Sequence, residues 1–384
     1  MLEITTTEAL AEFCARAKDC PYVTVDTEFL RERTYYSKLC LVQLAIPGKG
    51  DDTAALVDPL AEGLDLAPLY ELFRDPNVVK VFHAARQDVE IFWHDAGFIP
   101  QPLFDTQVAA MVCGFGEQVG YETLVKKLAK ASVDKTSRFT DWSQRPLSAA
   151  QKAYALADVT HLRIVYEQLE KQLAKSGRKA WVDSEMAILL DPETYFTRPA
   201  DAWEKIRTRT TSPRFLGIVR ELAKFREDYA QTRNVPRSRV MKDDALLEIA
   251  SLKPSDQNEL GKARLLLREG RRADVADGIL AAVKAGLEAP ADTLPKPSEA
   301  EHVQVNSALA DLLRVLLKAK SERFGVAARL IANAAELDAL AAGKRDIPAL
   351  SGWRAEVFGT DALLLCEGKL ALSVEGTSVK TIRL

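Results

Sequence analysis

Short alternations of hydrophobic and polar positions run through the first half of the chain. Residues 21–47 predict two strands joined by a turn, and the second strand is the apolar run at 39–46. Residues 54–57 predict a third strand, and three strands in such close succession favour antiparallel pairing. The pattern then predicts a helix at 66–73, a strand at 78–82 and a helix at 84–95. This order indicates a mixed α/β domain.

The clearest long helix is predicted at residues 148–176. Ser148 and Gln151 have the spacing of a capping box at its start. Gly177 follows the last helical position, where glycine commonly ends a helix. Earlier in the chain, Asp105 is predicted to be the N-cap of another helix.

Two linkers divide the second half of the chain. The turn-rich residues 190–203 predict a domain edge, and residues 289–301, with three prolines, predict a second linker. Between the linkers, residues 214–232 and 243–251 carry apolar positions at helical spacing. After the second linker, residues 303–340 are predicted to be helical, and the tail predicts short strands and turns.

The composition of the 384 residues is that of a globular protein with two to three domains, at roughly 150 residues per domain. Apolar residues make up 47% and charged residues 28%. No run approaches the ~18 apolar residues of a membrane helix, and the start of the sequence lacks the pattern of a secretory signal. Five scattered cysteines without a CxxC motif favour a reducing compartment, so we expect a cytoplasmic protein.

The net charge of −3 is distributed unevenly along the chain. Residues 1–200 carry a net charge of −7, residues 201–290 a net charge of +4, and residues 291–384 none. An acidic first part is suited to binding cations, and a basic middle part is suited to binding polyanions. Ordinary surface composition would explain the same numbers, so the motifs must decide.

Five residues are candidates for catalysis. Asp26 and Glu28 stand two apart in a buried strand and therefore share one face, where two carboxylates require a cation, a shifted pKa or solvent. Tyr154 and Asp158 share a face of the long helix, although an exposed polar stripe would have the same spacing. Asp88 lies early in its helix, where an aspartate is also favoured by the helix dipole alone.

Four carboxylates without a histidine–cysteine ligand set favour hard cations, namely Mg²⁺ or Mn²⁺. Two such ions ~3.5–4 Å apart can stabilise both the attacking and the leaving oxygen of a phosphodiester. Spacing alone does not determine whether the four carboxylates converge in space.

The order D-x-E, then D, then Y-x-x-x-D resembles the tyrosine branch of the DEDD exonuclease superfamily. The stretches VDTEFLRERTYYSKLCLVQLA, KVFHAARQDVEIF, FDTQVAAMVCGFGEQVGYETLVKKL and DWSQRPLSAAQKAYALADVTHL are similar to the ribonuclease D family and span most of residues 21–165. The resemblance implies a ribonuclease H-like α/β exonuclease domain with a mixed sheet over residues 1–200.

The middle of the chain resembles a second family. LAKFREDYAQTRNVPRSRVMKDDALLEIASLKP is similar to the HRDC domain, a small helical nucleic-acid-binding module. The ribonuclease D family carries two such modules, which implies a first HRDC domain over residues 205–288 and a second HRDC-like domain over 302–384. The resemblance is weaker in the second, which is neutral and is expected to pack or brace.

The resemblance also implies a role for each candidate. Asp26 bridges two divalent metal ions, and Glu28 and Asp158 hold the ion that binds the attacking water. Asp88 holds the second ion, largely through water. Tyr154 orients or deprotonates the attacking water. Because its ordinary pKa of ~10 leaves it protonated near neutral pH, we expect a metal-lowered pKa of the water to contribute more than Tyr154 acting as a base.

The implied function is 3′–5′ exoribonuclease activity, which releases 5′-nucleoside monophosphates and trims transfer RNA precursors with 3′ extensions and other structured RNA. RNA is the expected partner, no membrane is expected, and we expect a monomer. One alternative is a DNA exonuclease of the same superfamily, which competition between matched RNA and DNA would distinguish. Another is a non-catalytic nucleic-acid-binding scaffold, which would not need Mg²⁺ or Mn²⁺.

Contacts to RNA are expected from basic and aromatic residues in three segments. The basic run of the first HRDC domain suits a phosphate backbone, although a solvated basic loop would look the same. Two basic residues shortly before Asp141 are candidates for phosphate contacts, and the phenylalanine after Glu28 is a candidate wedge beside the terminal nucleotide. The expected RNA-contact residues are Phe29, Lys135, Arg138, Arg233, Arg237, Arg239 and Lys242.

Overall fold

A six-stranded mixed sheet forms the centre of the first part of the chain in the computed structural model, which describes residues 2–134, 136–210, 212–295 and 305–384. The strands are β1 (Leu2–Ile4), β2 (Tyr22–Leu30), β3 (Lys38–Ala45), β4 (Ala54–Val57), β5 (Val79–Phe82) and β6 (Leu103–Asp105). Their order across the sheet is β1-β4-β3-β2-β5-β6. The predicted antiparallel pairing of β2 with β3 and of β3 with β4 is confirmed, and the other pairs are parallel.

Helices connect and cover these strands. They are α1 (Thr7–Lys18), α2 (Ala67–Arg74), α3 (Arg86–Ala96), α4 (Thr106–Val112), α5 (Tyr121–Leu124), α6 (Ala149–Ser176) and α7 (Lys179–Leu190). The capping box predicted for α6 is present, since Ser148 and Gln151 bond each other reciprocally, and Gly177 ends the helix in the left-handed conformation. Helix α6 lies across β2, β3 and β4 and buries an apolar stripe against them.

The carboxylate of Asp105 organises two helix starts. It accepts a hydrogen bond from the backbone N–H of Gln107 at 2.7 Å, which confirms its predicted role as the N-cap of α4. It also accepts from the N–H groups of Ala84 and Ala85 at 3.0 and 2.8 Å. Because Ala84 is held in the left-handed conformation at φ 58°, helix α3 begins two residues later than predicted.

The middle of the chain folds around a core of its own. Its helices are α8 (Pro213–Arg233), α9 (Arg237–Val240), α10 (Asp243–Leu252), α11 (Gln257–Leu260) and α12 (Ala273–Glu288). Leu222, Leu246 and Ile279 are fully buried at its centre. The helices predicted at 214–232 and 243–251 are confirmed as α8 and α10.

The last part of the chain forms a third core. Its elements are α13 (Ser307–Phe324), α14 (Ala328–Ile331), α15 (Ala334–Ala341), α16 (Gly352–Arg354), α17 (Thr360–Cys366), β7 (Leu370–Glu375) and β8 (Ser378–Arg383). The predicted strands of the tail are the antiparallel pair β7–β8. Part of the predicted linker at 289–301 lies outside the described residues. None of the described helices is both long and apolar enough to cross a membrane.

The third part docks against α7 through stacked aromatic rings. Trp181 and Trp353 lie with ring centroids 4.7 Å apart and an interplanar angle of 15°. The buried carboxylate of Glu185 accepts hydrogen bonds from Trp353 Nε1 at 3.0 Å and from Arg354 Nη2 at 2.7 Å. The stacked rings and the hydrogen bonds to Glu185 join the last part of the chain to α7.

The middle part docks against the loop that joins β2 to β3. The backbone N–H groups of Tyr35 and Tyr36 both donate to Asn234 Oδ1 at 3.0 Å. The Tyr35 hydroxyl donates to Glu227, and Arg237 Nη2 donates to the Tyr35 hydroxyl at 2.8 Å. The loop that follows the Asp26–Glu28 strand is therefore held by the helical middle part.

Candidate active site

Two elements of the fold bring three carboxylates together. Asp26 and Glu28 lie on one face of β2, and Asp158 lies on the α6 helix that covers this face. One carboxylate oxygen from each lies within 4.8 Å of the other two. The predicted convergence is thus present for these three side chains, because the crossing of α6 over β2 supplies what spacing along the chain does not determine.

Asp88 approaches the same site from the first turn of α3. Its carboxylate accepts a hydrogen bond from the hydroxyl of Thr27, the residue between Asp26 and Glu28. Asp88 lines the same cavity, but it is not one of the three carboxylates that lie within 4.8 Å of one another. Asp88 therefore lies beside the group formed by Asp26, Glu28 and Asp158 and is not part of it.

Burial raises the pKa of each of these carboxyls, and repulsion from the neighbouring carboxylates raises the pKa of Asp26 and Glu28 further. The pKa of Asp26 lies well above its ordinary value, first because of burial and then because of the Asp158 charge. The same two causes raise the pKa of Glu28 to about 9, and burial raises those of Asp88 and Asp158 to about 7. Closely spaced carboxylates of this kind are stabilised by a cation.

The donor set fits divalent metal ions that prefer oxygen. All ligands offered by Asp26, Glu28 and Asp158 are carboxylate oxygens, and their spacing allows one ion to contact several of them. This combination of oxygen donors with several negative charges suits Mg²⁺ or Mn²⁺ better than a soft metal.

Tyr154 is a hydrogen-bond donor in this site. Its hydroxyl is bonded to the carboxylate of Asp158, four residues further along α6. Burial, followed by the charges of Asp158 and Glu28, raises the pKa of Tyr154 above its ordinary value. The phenol therefore stays protonated near neutral pH and orients its neighbours by donating a hydrogen bond.

A cavity of about 690 Å³ opens over the carboxylates. Phe29 and Arg138, two of the expected RNA-contact residues, line it. A β-bulge between Glu28 and Phe29 changes the direction of the strand at this point. The charge of Arg138 lowers the pKa of both Glu28 and Asp158.

The remaining expected RNA-contact residues have different environments. Arg233, Arg239 and Lys242 are exposed on the middle part of the chain. Arg237 is bound to the buried carboxylate of Glu227 and lies over the Tyr35 ring at 4.8 Å, so its guanidinium already has a partner. Lys135 lies outside the described residues.

Three further residues at the site were not singled out from the sequence. Tyr121 Oη lies 2.7 Å from the carbonyl oxygen of Asp158 and so holds α6 in place. Gln43 pairs in register with Asp26 and is fully buried, and its side-chain amide has no hydrogen-bond partner among the described residues. Phe139 lies on the cavity rim with 90% of its surface exposed. Of these three residues, only Gln43 is conspicuous in the sequence, because it is a polar amide inside the apolar run at 39–46.

Comparison with known proteins identifies the family. Residues 1–174 match the family model described as 3′–5′ exonuclease, and residues 215–283 match the HRDC domain. A ribonuclease D from a Jannaschia species is 59% identical over 380 residues, which cover 99% of this chain and 98% of that protein. This chain belongs to the ribonuclease D family. A ribonuclease D from Granulibacter bethesdensis is 51% identical over 383 residues, covering 99% and 96% of the two chains.

Solved structures of the ribonuclease D family and of its relatives agree with this fold. Escherichia coli RNase D, described as an exoribonuclease involved in structured RNA processing, matches with a TM-score of 0.81 at 30% identity, covering 95% of this chain and 98% of that one. The catalytic core of RRP6 from Trypanosoma brucei matches with a TM-score of 0.59 at 27% identity, covering 74% and 79%.

These matches confirm an exonuclease domain with a mixed sheet that is followed by a helical HRDC domain. They also confirm the prediction of a hydrolase with 3′–5′ exoribonuclease activity, as a member of the ribonuclease D family. The superfamily implies divalent metal ions, and the three neighbouring carboxylates fit that requirement.

Proposed function

We propose that this member of the ribonuclease D family trims the 3′ ends of transfer RNA precursors and other structured RNA with the help of two divalent ions. The observation that carries the proposal is the group of three carboxylates within 4.8 Å at the floor of a cavity of about 690 Å³. A cavity of this size with acidic walls suits a nucleotide whose phosphate is bound through cations.

The ligand roles follow from the resemblance to the DEDD exonucleases. Asp26 would contact both ions, Glu28 and Asp158 would hold one ion, and Asp88 would help to hold the other, largely through water. When bound, Mg²⁺ or Mn²⁺ would supply a lowered pKa for the attacking water and stabilise charge on the departing 3′ oxygen.

The protein's own side chains would orient the reacting groups. The Tyr154 hydroxyl, which donates to Asp158, would fix this carboxylate and the water beside it. Arg138 lines the cavity and would bind a phosphate oxygen of the substrate, while Phe29 would pack against the terminal base. In-line attack on the last phosphodiester would release a 5′-nucleoside monophosphate.

We further propose domain boundaries at residues 1–200, 205–288 and 302–384, the last being a second HRDC-like domain. The stacked Trp181–Trp353 pair supports a bracing role for this last domain. The exposed Arg233, Arg239 and Lys242 support RNA binding by the first HRDC domain. The five free thiols support a reducing, cytoplasmic location, and we propose that the enzyme acts as a monomer.

The direct test is a 5′-labelled transfer RNA with a short 3′ extension, incubated with Mg²⁺, with Mn²⁺ or with EDTA. We expect a metal-dependent ladder that shortens from the 3′ end and stops near the mature terminus. The Asp26→Asn protein is the matched control for a contaminating nuclease, and DNA of the same sequence is the control for the sugar. If neither metal supports shortening, the proposal is wrong.

A further inference from the structure

An exposed aromatic side chain stands on the rim of the catalytic cavity. Phe139 lies in the loop between α5 and α6 and, of the large apolar side chains that the structure describes, is the most exposed, at 90%. It lines the same cavity as Asp26, Glu28 and Asp158. A single exposed apolar residue is ordinary on a protein surface, but its place beside a substrate cavity puts it within reach of a ligand.

The residues on both sides of Phe139 are fixed by hydrogen bonds and by burial. Thr140 donates to the carbonyl oxygen of the buried Ser137 at 2.8 Å and accepts a hydrogen bond from Gln151 of α6 at 3.1 Å. Three residues after Phe139, Trp142 is buried beneath the loop with 2% exposure. Burial of a phenylalanine contributes ~1.5–3 kcal/mol to stability, and Phe139, at 90% exposure, does not make this contribution.

A cation lies beside the exposed ring. The guanidinium of Arg138 is 5.1 Å from the centroid of Phe139. Arg138 lines the same cavity as the carboxylates, and its charge lowers the pKa of Glu28 and Asp158. A flat apolar ring and a cation, side by side at the mouth of the site, match the base and the phosphate of one nucleotide chain.

We propose that Phe139 stacks on one of the last two bases of the RNA while Arg138 binds an adjacent phosphate. The proposal rests on the proposed function, and it adds a substrate contact that the five catalytic residues do not provide. Stacking on an aromatic ring tolerates every base, because each base has a π face. Such a contact suits an enzyme that removes successive nucleotides of differing identity.

A double-mutant cycle between protein and RNA tests the stacking contact. Dissociation constants are measured in the Asp26→Asn protein, so that the RNA is not degraded, with Phe139 unchanged or replaced by alanine, leucine or tryptophan. Each protein binds matched RNAs with an intact 3′ end, an abasic terminal nucleotide or an abasic penultimate nucleotide. We expect Phe139→Ala to raise Kd about 5- to 100-fold for intact RNA, and Phe139→Trp to raise it little.

One of the two abasic RNAs should bind equally well whether Phe139 is present or replaced by alanine, which would also identify the stacked base. Arg138→Gln provides the contrast, because its effect should be the same for intact and abasic RNA and should lower the salt dependence of binding. Phe196→Ala is the matched control, since Phe196 is 46% exposed and does not line the cavity.

Two results would overturn the stacking contact. One is an effect of Phe139→Ala that stays the same for all three RNAs, and the other is no effect with intact RNA. Hydrolysis of the extended transfer RNA by the unchanged protein is measured in parallel. If hydrolysis occurs while the cycle shows no coupling, only the stacking contact is wrong; if hydrolysis fails with both metals, the proposed function itself is wrong.

Discussion

Replacement of Arg237 by alanine should destabilise the protein without changing the salt dependence of RNA binding. Arg237 was expected from the sequence to contact phosphates, but its guanidinium donates through Nε and Nη2 to Glu227. Glu227 is only 1% exposed and also accepts hydrogen bonds from Tyr35 and Gln231. Removal of Arg237 would leave this buried carboxylate without its cation.

The magnitude follows from the burial of the two partners. Loss of one member of a fully buried ion pair costs about 3–5 kcal/mol. The side chain of Arg237 is 41% exposed, so water already screens part of the attraction, and Gln231 still donates to Glu227 at 3.0 Å. We therefore expect a loss of about 2–3 kcal/mol, or roughly 5–10 °C in the unfolding temperature.

Calorimetric unfolding of the full chain measures this loss. Arg239→Ala is the matched control, because Arg239 lies two residues away and is exposed, and its replacement should change stability by less than about 0.5 kcal/mol. The order of the two effects should be reversed for RNA binding, since only Arg239→Ala is expected to lower the salt dependence of RNA affinity. Equal unfolding temperatures for the two variants would refute the reasoning.

The difference between the unchanged protein and Arg237→Ala should also depend on pH. Burial raises the pKa of Glu227, but the hydrogen bonds from Arg237 and Tyr35 outweigh burial and hold this pKa below its ordinary value. A lowered folded-state pKa contributes stability above the unfolded pKa of about 4.3, and this contribution is lost as the pH falls through the folded value. The difference in unfolding free energy between the unchanged protein and Arg237→Ala should therefore become smaller at acidic pH.

Three further perturbations test the site itself. Asp26→Asn should abolish hydrolysis and leave RNA binding largely intact, and retained turnover in the transfer RNA assay would contradict the metal-ligand assignment. Because the pKa of Glu28 is raised to about 9, the metal-free protein should lose stability as the pH rises towards that value. The increase in melting temperature on adding Mg²⁺ or Mn²⁺ should therefore be larger at about pH 8.5 than at about pH 6. Tyr154→Phe should lower kcat by roughly 10- to 100-fold without changing the shape of the pH–rate profile, since a protonated donor, not a base, is lost; loss of an alkaline limb would show that the phenol titrates.

Local patterns predicted most of the elements around the site. The strand that carries Asp26, the capping box at Ser148 and the N-cap at Asp105 all depend on neighbours within a few residues of the chain. The strands β1 and β6, with three residues each, were not predicted. A strand of that length has too few positions to display alternation, and it is defined by its partner in the sheet.

The sequence by itself determined which residues are chemically suited to hold metal ions, because carboxylates, a tyrosine and their order along the chain are visible without a fold. Only the tertiary structure decided which of them meet. The crossing of α6 over β2 brings Asp158 to Asp26, and the packing of α9 against α8 brings Arg237 to Glu227. Both contacts depend on tertiary packing. The first joins distant parts of the chain and the second joins two helices, and a local sequence pattern predicts neither contact.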